Sequence, residues 1–376
     1  DVCSSDLSVV VDPKDYGLII DELNSSDKVS EETNRYLAAK VFNYTANYDA
    51  LIAKYFNEIS HIDFPETLTL TYKKEQSLRY GENPHQAAAF YREFGDVGGS
   101  LAAGKQLHGK ELSFNNINDA NGALKALKEF DEPTVVAVKH ANPCGIGSGE
   151  TLKEAYIKAY ECDKVSIFGG IVAANRVIEK EVAEMINSIF LEVVLAPGYS
   201  DQALEILKGK KNIRLIQIDD IEKEIYEMDT KKVFGGLLIQ ERDKILLLDD
   251  MEIVTKRGPS EKELDDLIFA WKAAKNINSN GVVLVRDKAT IGIGLGQVNR
   301  VWAVDEAIER GREKIDASVM ASDGFFPFKD SIELLAKNGV RAVIQPGGSI
   351  RDDEVIEEAD KNDMAMIFTG IRHFKH

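Results

Sequence analysis

Two distant stretches of the chain follow one plan, and this repetition limits the fold more than any other feature. In the first, Val135-Val-Ala-Val138 precedes Gly145-Ile-Gly-Ser-Gly149 and a helical segment; in the second, Val282-Val-Leu-Val285 precedes Gly292-Ile-Gly-Leu-Gly296 and another. Further on, Ser166-Ile-Phe168 compares with Ser322-Asp-Gly-Phe-Phe326, and Val193-Val-Leu-Ala-Pro-Gly198 with Ala342-Val-Ile-Gln-Pro-Gly347. Short apolar runs rich in branched residues are the pattern of strands buried on both faces. Alternating with helical segments, they predict two similar α/β units. A cleft between related units is a natural ligand site.

At 376 residues the chain is too long for one ordinary core and predicts two or three domains. No run of eighteen apolar residues occurs, so no membrane span is expected. A net charge of −17 argues against nucleic acid as a partner, because a polyanion is repelled at long range. An anionic small ligand then requires locally concentrated arginine and histidine. Cys3, Cys144 and Cys162 are widely spaced, which fits a reducing, cytoplasmic setting better than a disulfide framework. The opening Asp1-Val-Cys-Ser-Ser-Asp6 carries neither an initiator Met nor a signal peptide, and reads as the start of a fragment.

Leu7 to Asp12 has a buried-strand pattern, and Pro13 opens a short helix. Ser30 is a plausible N-cap for a long helix with an acidic first turn. Its residues Leu37, Val41, Tyr44, Tyr48, Leu51, Ile52, Tyr55, Phe56 and Ile59 recur at helical steps and predict one buried face. Helices are expected over 120–130, 179–190 and 201–207, and a strand over 165–172.

The strand Val135 to Val138 ends in Lys139 and His140, followed by the turn signal Asn142-Pro143. In open α/β sheets ligands bind beyond the carboxyl ends of strands. A like charge beside an imidazole favours its neutral form, making His140 a candidate general base. Leu78-Arg-Tyr-Gly-Glu-Asn-Pro-His-Gln86 packs many hydrogen-bonding side chains into one loop, which more often binds than merely connects. Gly292 to Gly296 fails the dinucleotide spacing, because Gln297 stands where the third glycine belongs. His140 with Pro143-Cys144 resembles the zinc deaminase pattern, yet Gly147 replaces the second cysteine, so no local zinc site can form. Cys144 is left open between a nucleophile and a buried thiol. Arg300 opens a helix and suits an anion. Asp323 to Asp330 is an aromatic turn able to hold a flat ring, and Gln345 to Ile350 offers backbone N–H groups. The tail Ile371-Arg-His-Phe-Lys-His376 is basic in an acidic chain.

Together, Leu78–Gln86, Val138-Lys-His-Ala-Asn-Pro-Cys-Gly145, Ser322-Asp-Gly-Phe-Phe-Pro-Phe328 and Arg372-His-Phe-Lys-His376 closely resemble the bifunctional purine biosynthesis family. That family joins 5-aminoimidazole-4-carboxamide ribonucleotide (AICAR) transformylase to IMP cyclohydrolase. The resemblance implies an α/β fold of two related cytidine-deaminase-like units, an internal duplication, over 67–255 and 256–376. Residues 1–66 are then a helical and α/β remnant of the cyclohydrolase domain with its linker.

It further implies formyl transfer from 10-formyltetrahydrofolate, the co-substrate, to the 5-amine of AICAR, in a homodimer whose sites lie at the subunit interface. By resemblance His140 is the base, Lys139 steadies the formyl oxygen, and Asn280 orients the amine. Arg79, Tyr80, Gly169, Glu192, Arg300, Phe325 and Arg372 match nucleotide-binding positions, and His85 is an accessory candidate. Val301, Asp330, Ser349 and Ile350 match folate-contacting positions. No metal is expected, and a monovalent cation is left open. Because the family's cyclohydrolase residues fall before residue 1, the chain is expected not to close the inosinate ring. Residues 1–7 do not match the family. Readings from other classes are a zinc-dependent deaminase, which requires bound metal, and a non-catalytic nucleotide-binding module, which ignores the folate.

Overall fold

The computed structural model describes residues 7–225, 228–247 and 251–376. Two compact units emerge, one comprising residues up to 75 with 91–96, the other 76–90 with 97–376. The first holds helices α1 (Tyr16–Ser26) and α2 (Glu31–Ile59). Ser30 caps α2 by accepting from the Thr33 N–H, as the sequence suggested. Glu22 ties the two helices, accepting from the Ser30 N–H at 2.7 Å and the Thr33 hydroxyl at 2.6 Å. Lys40 donates to Asp12 and to the buried Asp15. The expected strand at 7–12 is irregular backbone. The expected buried face of α2 is also corrected: Leu37 and Val41 are buried, but Tyr44, Tyr48, Ile52, Tyr55, Phe56 and Ile59 are exposed. A 29-residue helix spans about 44 Å, and α1 is too short to cover that length. Strands β1 (Tyr72–Leu78) and β2 (Ala88–Glu93) pair with each other.

The second unit is built on one twelve-stranded mixed sheet. Its first half contains β3 (Lys105–His108), α3 (Phe114–Leu127), β4 (Thr134–Lys139), β5 (Asn142–Ser148), α4 (Leu152–Cys162), β6 (Ile171–Ala174), α5 (Lys180–Asn187), β7 (Val193–Ala196), α6 (Asp201–Lys208) and β8 (Arg214–Gln217). An exposed hairpin, β9 (Asp229–Val233) and β10 (Gly236–Gln240), follows. The second half contains β11 (Glu252–Ile253), α7 (Glu261–Ala274), β12 (Val282–Arg286), β13 (Ala289–Gly294), α8 (Arg300–Gly311), β14 (Val319–Ser322), α9 (Asp330–Lys337), β15 (Ala342–Gln345), α10 (Asp352–Lys361) and β16 (Ala365–Phe368).

Reading outward from the middle, one half runs β5-β4-β6-β7-β8-β3 and the other β13-β12-β14-β15-β16-β11. Pairing senses match step by step, from the antiparallel hairpin through two parallel pairs to an antiparallel edge strand. The repeat read in the sequence is therefore a repeat of topology. One detail shifts: β6 holds the place in its half that β14 holds in the other, whereas Ser166 to Phe168, expected within a strand over 165–172, lies in turns before β6. Helices α3 and α7 share one face of the sheet, joined by Phe130 against Phe269 at 5.0 Å between ring centroids. The opposite face carries α4, α5 and α6 over the first half and α8, α9 and α10 over the second.

The glycine-rich stretches are not loops. Gly145 and Gly147 lie within β5, Gly292 and Gly294 within β13. A Cβ on Gly145 would overlap the Ala159 carbonyl of α4, and one on Gly294 the Ala303 carbonyl of α8. These residues let helix backbone rest directly on the middle strands. The halves meet at one paired position, Ala289 opposite Gly147, supplemented by the Ser148 N–H on the Lys288 carbonyl. Thr290 completes the seam, its hydroxyl accepting from the Ile146 N–H at 2.8 Å and donating to the Ile146 carbonyl.

Gly294→Ala is expected to cost about 1–3 kcal/mol or more by overpacking, measured by denaturant unfolding. Gly198→Ala, where a Cβ meets only ordinary contacts, should stay within about 0.5 kcal/mol. Equal stabilities for the two variants would contradict the close approach of α8 to β13.

Candidate active site

Pairing senses fix which residues share an end of the sheet. The carboxyl ends of β4, β13, β14, β15 and β16 lie together with the amino ends of β6, β7 and β12. Every site residue nominated between Lys139 and Arg372 flanks that end. In the second half the candidate residues follow the carboxyl ends of the parallel strands, whereas in the first half Gly169 and Glu192 precede β6 and β7.

Lys139 is the last residue of β4, and the turn to β5 consists of His140 and Ala141, with φ angles of 56° and 60°. The turn therefore precedes Asn142-Pro143, which already belongs to β5. Two left-handed residues give the turn geometry that matches hairpin twist. Its support comes from α3: a Cβ on Gly122 would meet the Ala141 carbonyl at 2.8 Å, so turn and helix touch. Asp119, on the same helix, faces the backbone N–H groups of Ala141 and His140. Burial raises the Asp119 carboxyl from its ordinary value, against the lowering effect of those N–H groups and of Lys139 and His140. Asp119 escaped sequence reasoning, because Glu111 to Asp119 reads as a polar loop before a helix expected only from Ala120. In the fold Ser113 caps α3, and Asn116 completes the capping box.

Two groups of nominated residues form around this end. In the first, the Lys139 ammonium donates to the carbonyls of Phe168 and Gly169 at 3.0 and 2.9 Å. Gly169 has φ +67°, and its N–H reaches the Phe190 carbonyl. Glu192 accepts from the Asn116 side chain at 2.7 Å. The imidazole of His140 is exposed, as are Arg79 and His85. Arg79 lies 5.7 Å from the Tyr80 ring centroid, in a loop closed by the Gly81 N–H on the Gln86 carbonyl and tied to α3 by Asn115.

In the second group, Asn280 precedes β12 and is held by Arg300 and Gln297. Gly324 sits against the Arg300 guanidinium and the Phe374 ring. Arg372 stacks over Phe374 at 4.7 Å, which brings the tail to Arg300. Phe325 is exposed beside the buried Phe326. Of the folate candidates, Val301 opens α8 beside Arg300 and Asp330 opens α9. Ser349 and Ile350 lie in the loop after β15, and Arg351 over the Phe328 ring joins that loop to the one before α9. Among the described residues no hydrogen bond joins the two groups. Strands β4 and β12 stand three places apart in the sheet, a separation of about 14 Å.

Between the hairpins, where β5 and β13 part, lies a cleft of about 240 Å³ lined by Lys139, His140, Asn142, Cys144, Cys162 and Arg310. Burial pushes the Cys144 thiol up to about 12 and the Cys162 thiol up to about 11. At neutral pH both are protonated, so Cys144 is poorly suited to nucleophilic attack. Among the described residues no group of three His, Cys, Asp or Glu side chains could hold a metal ion. Among the described residues no helix is long and apolar enough to cross a membrane.

A family model described as the AICARFT/IMPCHase bienzyme matches residues 4–310. The chain is also similar to proteins named bifunctional purine biosynthesis protein PurH. It is 56% identical over 375 residues to that of Acetivibrio thermocellus and 52% over 374 to that of Caldicellulosiruptor saccharolyticus. Identity to the Bacillus cereus protein is 54% over 371 residues. These alignments cover 98–99% of this chain and 73% of each relative.

Iodoacetamide at mildly alkaline pH is expected to leave Cys144 and Cys162 of the native chain unmodified, at least about a hundredfold slower than in denaturant. Peptide mass analysis checks this; rapid native labelling of Cys144 would revive its nucleophilic role.

Proposed function

The chain belongs to the AICARFT/IMPCHase bienzyme family, and on that premise we propose how its residues divide the work of formyl transfer. The reaction moves the formyl group of 10-formyltetrahydrofolate to the 5-amine of AICAR, a step of purine biosynthesis. The amine is a weak nucleophile, because its lone pair is conjugated with the ring and carboxamide. Positioning and proton removal therefore carry most of the acceleration.

His140 is the base that takes a proton from the amine as nitrogen attacks the formyl carbon. Lys139 stabilises the negative charge that grows on the formyl oxygen. Its ammonium has three N–H donors; two are used by Phe168 and Gly169, which fixes the third for the incoming oxygen. The tetrahedral intermediate then collapses, the C–N10 bond breaks, and N10 takes a proton to give tetrahydrofolate. Asn280 orients the amine. Arg79 and Arg372 are exposed cations suited to the phosphate, and Tyr80, Gly169, Glu192 and Phe325 line the nucleotide. Val301, Asp330, Ser349 and Ile350 take the pteridine carrier. The observation that supports this reading is the Lys139–His140 pair, held by a two-residue turn braced on α3, at the sheet end flanked by the candidate residues from Gly169 to Arg372.

The separation of that pair from Asn280 supports a homodimer in which the first group of one chain meets the second group of another. Both halves, 67–255 and 256–376, are read as cytidine-deaminase-like units working without zinc, in the cytoplasm. A monovalent cation remains compatible with this scheme.

His140→Ala is expected to lower kcat by at least about a hundredfold, followed by tetrahydrofolate absorbance with AICAR and 10-formyltetrahydrofolate. AICAR affinity should change little. Normal turnover with a comparable loss of affinity would contradict the base role.

A further inference from the structure

We infer that Asp119 acts as a positioning residue for formyl transfer, its carboxylate holding the His140–Ala141 turn so that the imidazole is presented beside the Lys139 ammonium. The inference rests on the reading of Lys139 and His140 as the pair that serves the reacting atoms.

A left-handed backbone is unfavourable for any residue with a Cβ and persists only where its surroundings impose it. His140 and Ala141 are both left-handed, with φ of 56° and 60°. The ladder of β4 and β5 pairs Lys139 with Asn142, so the two N–H groups between them lie outside it. The Asp119 carboxylate, on α3, faces both of those N–H groups, and the charges of His140 and Lys139 act on it.

The other central hairpin repeats this device at full bonding distance. Asp287 and Lys288 form its turn, with φ of 56° and 53°. Buried Asp266, on α7, accepts from their N–H groups at 2.9 and 2.7 Å. Asp266 stands 21 positions ahead of Asp287, the same interval that separates Asp119 from His140. Each half of the sheet thus sends a carboxylate from the helix on the shared face to the turn of its own hairpin.

The two turns differ in what they carry. Asp287 and Lys288 are engaged in ion pairs with Lys262 and Asp265. His140 keeps an exposed imidazole, and the Lys139 ammonium beside it is tied to the Phe168 and Gly169 carbonyls. With Lys139 anchored, the place of the imidazole relative to it follows the shape of the turn. Asp119 is partly buried and acts on the substrate through that turn. Its neighbours on α3 serve the same end: Asn115 donates to the Glu82 carbonyl at 3.3 Å, and Asn116 to Glu192 at 2.7 Å. The first two turns of one helix therefore hold the 78–86 loop, Glu192 and the base in fixed relation.

The test compares Asp119→Ala with Asp266→Ala in the full chain, reading kcat, the KM for AICAR and the thermal midpoint. Both substitutions are expected to lower the midpoint. Asp119→Ala should also lower kcat about tenfold or more, with the KM for AICAR changed less than about threefold; Asp266→Ala should keep kcat within about twofold. In the His140→Ala background, Asp119→Ala should add less than about a twofold loss, because residues acting as a unit are not additive. Asp119→Asn keeps one acceptor for the turn and should fall between wild type and Asp119→Ala. If an alanine variant does not fold, asparagine replaces it at both positions, with an expected loss of kcat of about threefold or more for Asp119→Asn alone. Unchanged kcat on substitution of Asp119, an equal fall on substitution of Asp266, or losses that multiply with His140→Ala would overturn the inference. Normal turnover in His140→Ala alone would instead overturn the reading of the Lys139–His140 pair, and the inference with it.

Discussion

A turn made of two left-handed residues, neither of them glycine, costs of the order of 1–2 kcal/mol at each position, and this fold maintains one at His140 and Ala141. Strand register imposes it: β4 and β5 pair up to Lys139 opposite Asn142, so only two residues remain to reverse the chain. Helix α3 then braces the turn, Gly122 by close approach and Asp119 through its carboxylate. With the backbone so constrained, Lys139 and His140 project from one place without a flexible loop. The matching hairpin has a turn of the same kind at Asp287 and Lys288, at the opposite end of the sheet, where no nominated residue lies.

The repeated strand order supplies the frame and also distributes the candidate residues. Each half contributes the same order of strands, yet the first half carries the cation and imidazole, the second the amide, the buried arginine and the basic tail. The glycines of β5 and β13 allow α4 and α8 to seat on the middle strands, and the two hairpins touch only near the second turn before parting. What would be one continuous ladder becomes a seam with a cleft beside Lys139 and His140. Distribution of charge follows the same division. The chain is strongly acidic overall, yet Lys139, Arg300 and Arg372 all flank one end of the sheet.

Much of this was legible in the residues. The apolar runs at 135–138, 193–196, 282–285 and 342–344 are strands buried on both faces, as branched residues in short runs suggested, and the repeat of runs matches the repeat of topology. The glycines were correctly denied a dinucleotide role on spacing, but their actual role was not visible. Their cause is a helix arriving from across the sheet, which no local pattern records. The turn at His140 was hidden by the stronger turn signal of Asn142-Pro143, and Asp119 by its polar neighbours. Arg300 was visible as a cation, but its partners Asp323 and Asn280 lie twenty or more positions away. On α2 the periodicity was sound, but it could not say which of two apolar faces its own unit covers.

The central claim is that the Lys139–His140 pair of one chain serves the same substrate as Asn280 of another. Coexpressing His140→Ala and Asn280→Ala chains under different tags, and purifying the doubly tagged species, isolates the mixed assembly. A shared site predicts recovery of about half the wild-type formyl transfer per dimer, since one of two sites regains both side chains. If the mixed species is no more active than either variant alone, each chain holds its own complete site and the account fails.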